Sequence, residues 1–285
     1  MNKIRVVCDS ASDLPAFEMR RLEIAMVSLS IRFGDEEFVD RVTLSSDEFW
    51  ARCAAAKSLP ETSAPSPGAF QSAYEQAARD GCTGVLVLTL SAALSATYQS
   101  AVVARDAVAS HIDVRVVDTQ AISMAQGLIA IDVAERALAG DALDALEAHA
   151  QSLKSRVGIV AMLDTLDHLI KGGRVGGARA LIGQVLSIKP LLELRDGIVA
   201  EAGRQRTTTR AIASLAKSAR EHAPLRRFAL IHGQSTQVST LSAIVADIAS
   251  EFPMIVADIG PTVGTHGGPG LIGLTWLEAS PDDRH

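Results

Sequence analysis

The sequence predicts an α/β fold in two domains: a parallel-sheet α/β/α domain over residues 1–155 and a second α/β domain with a mixed sheet over residues 156–285. Three observations carry this. Short β-rich runs at Ile4 to Val7, Val85 to Thr89 and Val114 to Val117 each precede polar or glycine-bearing residues and then an Ala-rich helical pattern, the grammar of βαβ units. The runs are nearly continuous in apolar residues, as strands covered on both faces of a parallel sheet are. In the second half, Ile188 to Leu194 and Ile198 to Ala202 flank Arg195-Asp196-Gly197, whose Asp-Gly step makes a β-hairpin and so a mixed sheet.

Taken in order, the first strand opens on Asp9-Ser10-Ala11-Ser12-Asp13-Leu14-Pro15. Asp9 and Asp13 there are either an acid/base or metal-ligand pair or, more simply, ties for a strand-to-helix turn. Ile24 to Phe33 reads as one further strand ending at the Gly34-Asp35 turn. Thr43 to Glu48 supplies helix-start residues, and Pro67 suits the first turn of a helix through Tyr74 and Ala78, where its missing N–H is not needed. The helical pattern from Ser123 to Ser155 breaks at Gly140-Asp141 and closes the first domain. Val157 to Met162 begins the second as a strand. Asp164 and Thr165 are candidate caps for a short helix through Leu169, stopped by Gly172-Gly173. Helix Thr208 to Glu221, strand Arg227 to Ile231, helix Thr236 to Ser250 and strand Met254 to Ile259 follow.

Composition excludes several classes. The longest aliphatic runs, such as Val85-Leu86-Val87-Leu88, fall far short of the roughly 20 residues of a membrane span, and no basic stretch leads into an apolar one at the start. A cytoplasmic protein is expected. Cys8, Cys53 and Cys82 are scattered with no C-x-x-C pair and no His at ligand spacing, which predicts reduced structural thiols and no metal site. A net charge of −6 argues against nucleic acid, yet residues 171–227 hold 12 Lys/Arg against 4 Asp/Glu. Such a segment is either a solvated basic face or a patch for a phosphate group or an acidic partner surface. No Walker or G-x-G-x-x-G motif occurs, so no nucleotide cofactor is expected.

Two Ser/Thr-rich loops stand ahead of helical patterns: Thr62-Ser63-Ala64-Pro65-Ser66-Pro67-Gly68 and Ser91-Ala92-Ala93-Leu94-Ser95-Ala96-Thr97. Unpaired N–H groups and partial positive charge at a helix start, with hydroxyls beside them, make an anion cradle; helix capping alone is the simpler use. Lys171-Gly172-Gly173-Arg174 and the glycine-rich Gly260 to Gly270, where glycines flank an expectedly exposed His266, add cations and close backbone approach. Together the four segments predict one composite site for an anionic ligand.

In these residues the chain resembles the DegV family of bacterial fatty-acid-binding proteins, which includes the acyl-carrying subunits of fatty acid kinase. The resemblance runs through Val7 to Pro15, Thr62 to Pro67, Leu94 to Ala101, Val117-Asp118-Thr119, Leu163 to Leu166, Lys171 to Arg174 and Gly264-Thr265-His266, in that order. It implies a long-chain fatty acid with its tail inside the first domain and its carboxylate near the domain boundary. The family's carboxylate-binding Thr matches Thr62 and its Ser matches Ser95, with Ser63, Ala96, Thr97 and His266 completing the ligand site. The family's Ser-Ser-x-Leu-Ser-Gly-Thr is Ser91-Ala92-Ala93-Leu94-Ser95-Ala96-Thr97 here, which leaves Ala92 as the alternative serine position. Arg174, Arg206 and His266 match basic positions facing the partner and the phosphate. The implied activity is that of a non-catalytic carrier, presenting the acid to a kinase that supplies ATP. The competing reading is a small-molecule hydrolase or phosphotransferase using Ser95 and His266; no base adjoins Ser95 in sequence, which counts against it.

Overall fold

A computed structural model describes residues 3–56, 58–181 and 188–280. In chain order the first half comprises β1 (Ile4–Asp9), α1 (Ala16–Arg21), β2 (Ala25–Val27), β3 (Ser30–Phe33), β4 (Glu36–Val39), α2 (Ser46–Ala55), β5 (Glu61–Ser63), α3 (Pro67–Arg79), β6 (Gly84–Thr89), α4 (Thr97–Val108), β7 (Asp113–Asp118), α5 (Met124–Ala139) and α6 (Leu143–Leu153). The second half comprises β8 (Val157–Met162), α7 (Asp167–Lys171), β9 (Lys189–Arg195), β10 (Ile198–Gln205), α8 (Thr208–Glu221), β11 (Leu225–His232), α9 (Val238–Val245), β12 (Ile255–Asp258), α10 (Pro261–Gly267) and β13 (Ile272–Glu278).

The described residues form three sheets. The first, ordered β2-β1-β6-β7, is parallel throughout, and the second, ordered β10-β9-β8-β13-β11-β12, is antiparallel except for the β11–β12 pair. The predicted parallel and mixed sheets are both present, the Asp196-Gly197 hairpin included. A small antiparallel sheet, β4-β3-β5, was not foreseen. The predicted strand from Ile24 to Phe33 is two strands serving different sheets: the chain turns at Ser28-Leu29, where the Leu29 N–H donates to Ser10 Oγ at 3.1 Å. Ser45 and Ser66 cap α2 and α3 by accepting from Glu48 and Ala69 N–H. Asp164 does not cap α7, since Lys189 holds its carboxylate at 2.7 Å, whereas Thr165 accepts from Asp167 N–H. The glycine-rich segment after Gly260 coils into α10, with Pro261 at its start.

Helix α5 sets the arrangement of the layers. A helix facing water on one side carries an apolar stripe, but α5 buries residues all round its circumference. It packs on β1 and β6 of the first sheet and on β8, β11 and β13 of the second, so one apolar core spans both sheets. Gly127 lies where α5 meets the first loop, and a Cβ there would stand 2.9 Å from the Ser12 carbonyl oxygen. Two buried polar residues fix the helix to either side. Gln126 Nε2 donates to Asp9 Oδ2 at 3.1 Å and to the Leu88 carbonyl at 3.0 Å. Asp132 accepts from Arg226 Nε at 2.6 Å and Arg227 Nε at 3.0 Å of β11, and pairs with His149 Nε2 of α6 at 2.8 Å. Outside this sandwich α3 and α4 cover the first sheet, and α8 and α9 the second.

Burial pushes the Asp132 pKa up, but the His149 hydrogen bond and the Arg227 and Arg226 charges outweigh it and hold the carboxyl below the usual carboxylate range. Asp132→Ala would strand buried guanidinium groups and is expected to cost about 3–5 kcal/mol in urea unfolding. Because the folded-state pKa is depressed, the Asp132 contribution is present above the ordinary carboxylate pKa and is lost as pH falls. The penalty of the Ala variant should therefore shrink in acid; a pH-independent penalty would contradict this assignment.

Candidate functional site at the junction of the two sheets

A largely apolar cavity of about 120 Å³ lies between the first and second sheets. Its wall is apolar apart from Thr62, Ser95, Ser123, Arg174, Glu193, Thr262 and His266. Leu29, Leu90, Leu94 and Ile122 come from the first half, while Ile159, Ala161, Leu192, Leu194, Val199 and Ile231 come from the second sheet and Leu163 from the residue after β8. The apolar cavity is shared by both halves of the chain, and most of its lining belongs to residues after 155. Alternation along β8 is the cause. Ile159, Ala161 and Leu163 face one way, toward the cavity, while Val160 and Met162 pack under α8.

Thr62 sits on a strand, not at a helix start as expected. It is paired with Ile31 in β5, and strand alternation sends its side chain to the cavity while the exposed Ser63 borders a different surface pocket. Thr62 Oγ1 and His266 Nε2 are 2.9 Å apart, joining the small sheet to α10. His266 is consequently half-buried and hydrogen-bonded, which corrects the exposed setting expected from its flanking glycines. Its other ring nitrogen, Nδ1, is buried without a hydrogen-bond partner and faces Gly172, where an added Cβ would stand 2.2 Å away. His168 Nδ1, 3.0 Å from the Thr265 carbonyl, locks α7 against α10 beside it.

The second loop behaves as a helix start. Ser95 lines the cavity; its Oγ accepts from Thr97 N–H at 3.3 Å and lies 2.9 Å from Thr97 Oγ1. Thr97 is buried beneath Ser95, while Ala96 and Ala92 are exposed and outside the cavity lining. Ser91, at the loop's beginning, reaches the hairpin by donating to the Gly197 carbonyl at 2.7 Å. Arg174 fastens the loop's other end, its Nε donating to the Leu94 carbonyl at 3.2 Å and Nη1 to that of Gly172 at 2.6 Å. Four of the predicted residues therefore border one space: Thr62, Ser95, Arg174 and His266. Ser63, Ala96, Thr97 and Arg206 do not, and Arg206 is exposed just beyond the end of β10.

Electrostatics favour neutral partners. Burial lowers the His266 pKa from 6.5 to about 4, aided by the nearby Arg174 and His168, so the ring is uncharged at pH 7. Ser95 and His266 share no hydrogen bond, since Ser95 turns to Thr97 and His266 to Thr62. A nucleophile-base pair is thus not assembled. Asp9 and Asp13 act as ties. Asp9 receives N–H bonds from Leu90 at 2.7 Å and Ala11 at 3.0 Å, and Asp13 accepts from Gly260 N–H at 2.8 Å, Arg41 Nη2 at 3.0 Å and Ser123 Oγ at 2.6 Å. Desolvation nonetheless raises Asp9 to about 7 and Asp13 to about 6. Ser123 and Thr262, missed in the sequence, reach the cavity through these ties: Ser123 holds Asp13 at a positive φ of 55°, and Thr262 holds Asp40. The Gly260-Pro261 start before Thr262 was the available signal.

The basic segment is also less of a patch than its count implies. Lys189, Arg195, Arg204, Lys217, Arg220, Arg226 and Arg227 are engaged in ion pairs, several with acids from outside the segment. Lys171, Arg174, Arg179, Arg206 and Arg210 form none among the described residues. No helix among the described residues is long and apolar enough to cross a membrane.

Fold and cavity define a two-sheet α/β protein whose internal apolar space is bordered by hydroxyl, imidazole and guanidinium groups. The chain belongs to the DegV family, described as uncharacterised proteins, whose model matches residues 3–279. It is 34% identical over 275 residues to a DegV domain-containing protein of Streptomyces coelicolor, covering 95% of this chain and 97% of that one. A Listeria monocytogenes DegV domain-containing protein is 32% identical over 280 residues, covering 96% and 98%. Among solved structures, a DegV family protein from Thermus thermophilus described for its fatty acid binding superposes with a TM-score of 0.89 at 30% identity, over 97% of this chain and 100% of that one. DegV of Bacillus subtilis, described as a fatty acid binding protein, gives 0.85 at 28% identity, over 98% and 100%.

The depressed His266 pKa has a measurable sign. The unfolded chain takes up this proton near the ordinary histidine pKa and the folded chain only near 4, so His266 lowers stability as pH falls through that window. Imidazole NMR of the ligand-free protein is expected to show His266 still neutral at the ordinary histidine pKa and taking up its proton only near 4. A titration midpoint near the ordinary histidine value would refute the buried, neutral setting.

Proposed function

We propose that this protein binds one long-chain fatty acid in the cavity between its sheets, with the carboxylate at Thr62, Ser95 and His266, and presents it to a fatty acid kinase for conversion to an acyl phosphate. The observation that carries the reading is the Thr62–His266 contact at 2.9 Å on the wall of a mostly apolar space that also includes Ser95 and Arg174. Relatives of closely similar fold described as fatty-acid-binding support it. Each buried methylene contributes about 0.8 kcal/mol, so a long tail supplies ample affinity and the head group needs only orientation. Neutral hydroxyls and a neutral imidazole orient a carboxylate without quenching an oxygen that must later attack a phosphoryl group. We also propose that the two larger sheets mark domains 1–155 and 156–285 with the site at their junction. The carrier performs no chemistry itself and works in the cytoplasm beside an ATP-using partner. Arg174 and Arg206 serve the transfer step, Arg206 by meeting the kinase from its exposed position.

Organic extraction of the purified protein followed by mass spectrometry is expected to yield about one fatty acid per chain. A protein that neither carries nor takes up fatty acid would refute the reading. Thr62→Ala and Ser95→Ala are each expected to weaken binding by about 1–3 kcal/mol in a fatty-acid titration, the usual loss for a hydrogen bond to a charged group. Unchanged affinity in both would move the carboxylate elsewhere. Addition of one equivalent of oleic acid should raise the His266 titration midpoint, because a neighbouring carboxylate favours the imidazolium. Arg206→Ala should retain fatty acid yet form less acyl phosphate with kinase and ATP, and undiminished transfer would remove Arg206 from the partner surface.

A further inference from the structure

A second pocket of about 260 Å³ lies on the protein surface beside the hairpin turn, bordered by Gln120, Gln151, Lys154 and Ser155. It shares two side chains with the cavity between the sheets, Ile159 and Leu194. These two are neighbours: β8 and β9 run antiparallel with Ala161 opposite Leu192 and Val160 opposite Glu193, and the same register carries Leu194 alongside Ile159. Along β8 and just past its end, Ile159, Ala161 and Leu163 line the cavity in succession. Leu163 stands at the end that leads into α7, which packs on His266's helix. Ile159 lies four residues back, about 13 Å away at 3.3 Å per residue.

We propose that Ile159 and Leu194 form the end wall of the acyl cavity and set the longest chain it accepts. The inference rests on the fatty-acid reading above and assigns the specificity element of that site. The wall is held from the far side. Ser91 Oγ binds the Gly197 carbonyl at 2.7 Å, and Gly197 packs so closely on Ser91 that a Cβ would come within 2.4 Å of its hydroxyl oxygen, so the turn following Leu194 is pinned to the first sheet's loop. Beyond the wall Ala121, Ala125 and Val157 lie among Gln120, Gln151 and Lys154, so there is room for a few further methylenes only once the wall is removed. Both wall residues are only partly buried, each bordering open space on two sides, so changes in their size are absorbed by the cavities rather than by a packed core.

The test is a competition titration of the full chain with saturated fatty acids from lauric to behenic acid, repeated on two variants. The double variant Ile159→Ala, Leu194→Ala joins the cavity to the surface pocket, and its preference for behenic over palmitic acid is expected to rise about tenfold, the effect of burying roughly two further methylenes. Ile159→Phe thickens the wall and is expected to move the optimum to shorter chains. Thermal melts followed by circular dichroism verify that each variant is folded, and either variant alone decides the matter. An unchanged chain-length ranking, in a wild type that does bind the series, overturns the wall while leaving the fatty-acid reading intact. Failure of the wild type to bind any member overturns both.

Discussion

Everything in this molecule depends on α5 having sheet on both sides. A helix apolar around its whole circumference has no stable place at a surface, and here each face finds a different sheet. Its two buried polar side chains then remove the remaining freedom, Gln126 by binding β1 and β6 and Asp132 by binding β11. Pairing a buried carboxylate with two guanidinium groups adds less stability than specificity, because any slip of α5 relative to β11 would leave charges buried without partners. The space between the sheets that α5 leaves unfilled becomes the cavity.

Such a cavity draws its polar groups from pieces far apart in sequence. Thr62 arrives on a small third sheet, Ser95 at the start of α4, Arg174 after a glycine turn and His266 on a helix of seven residues. Their mutual placement rests on contacts that tolerate no side chain at Gly172, and on the Arg174 bridge between the Leu94 and Gly172 carbonyls. Because the imidazole is held neutral by burial and by neighbouring positive charge, it offers this space a directional hydrogen-bonding group rather than a net charge. An acyl chain suits that division, with affinity along the tail and orientation at the head.

Much of this was legible in the sequence, for reasons that differ from element to element. Strands β1, β6 and β7 announced themselves because both faces are covered, and Asp196-Gly197 announced its hairpin. β13 did not, because Gly273 interrupts its apolar run; that glycine is required where a Cβ would stand 2.6 Å from the Val160 carbonyl oxygen. The division of Ile24 to Phe33 between two sheets depends on a tertiary bond from Leu29 N–H to Ser10 and leaves no local mark. Thr62, Ser95, Arg174 and His266 stood out by chemistry and by resemblance, but the apolar wall did not. Ile159, Ala161 and Leu163 carry the same alternation whether their face meets a packed core or an open cavity.

The same reasoning explains why charge counting overstated the basic surface. Seven of the twelve cations between residues 171 and 227 are taken up by ion pairs, among them Arg226 and Arg227, which both pair with Asp132 on α5 nearly a hundred residues earlier. Net charge in a segment measures surface potential only when its partners lie within the segment, and a chain that folds its second sheet onto an earlier helix violates that condition. The five cations left over divide between those at or near the glycine turn, Arg174 among them, and Arg206 with Arg210 at the β10–α8 corner. An anionic group approaching this face would therefore meet a few placed guanidinium groups instead of a broad positive field, which favours geometric selection over general attraction of anions.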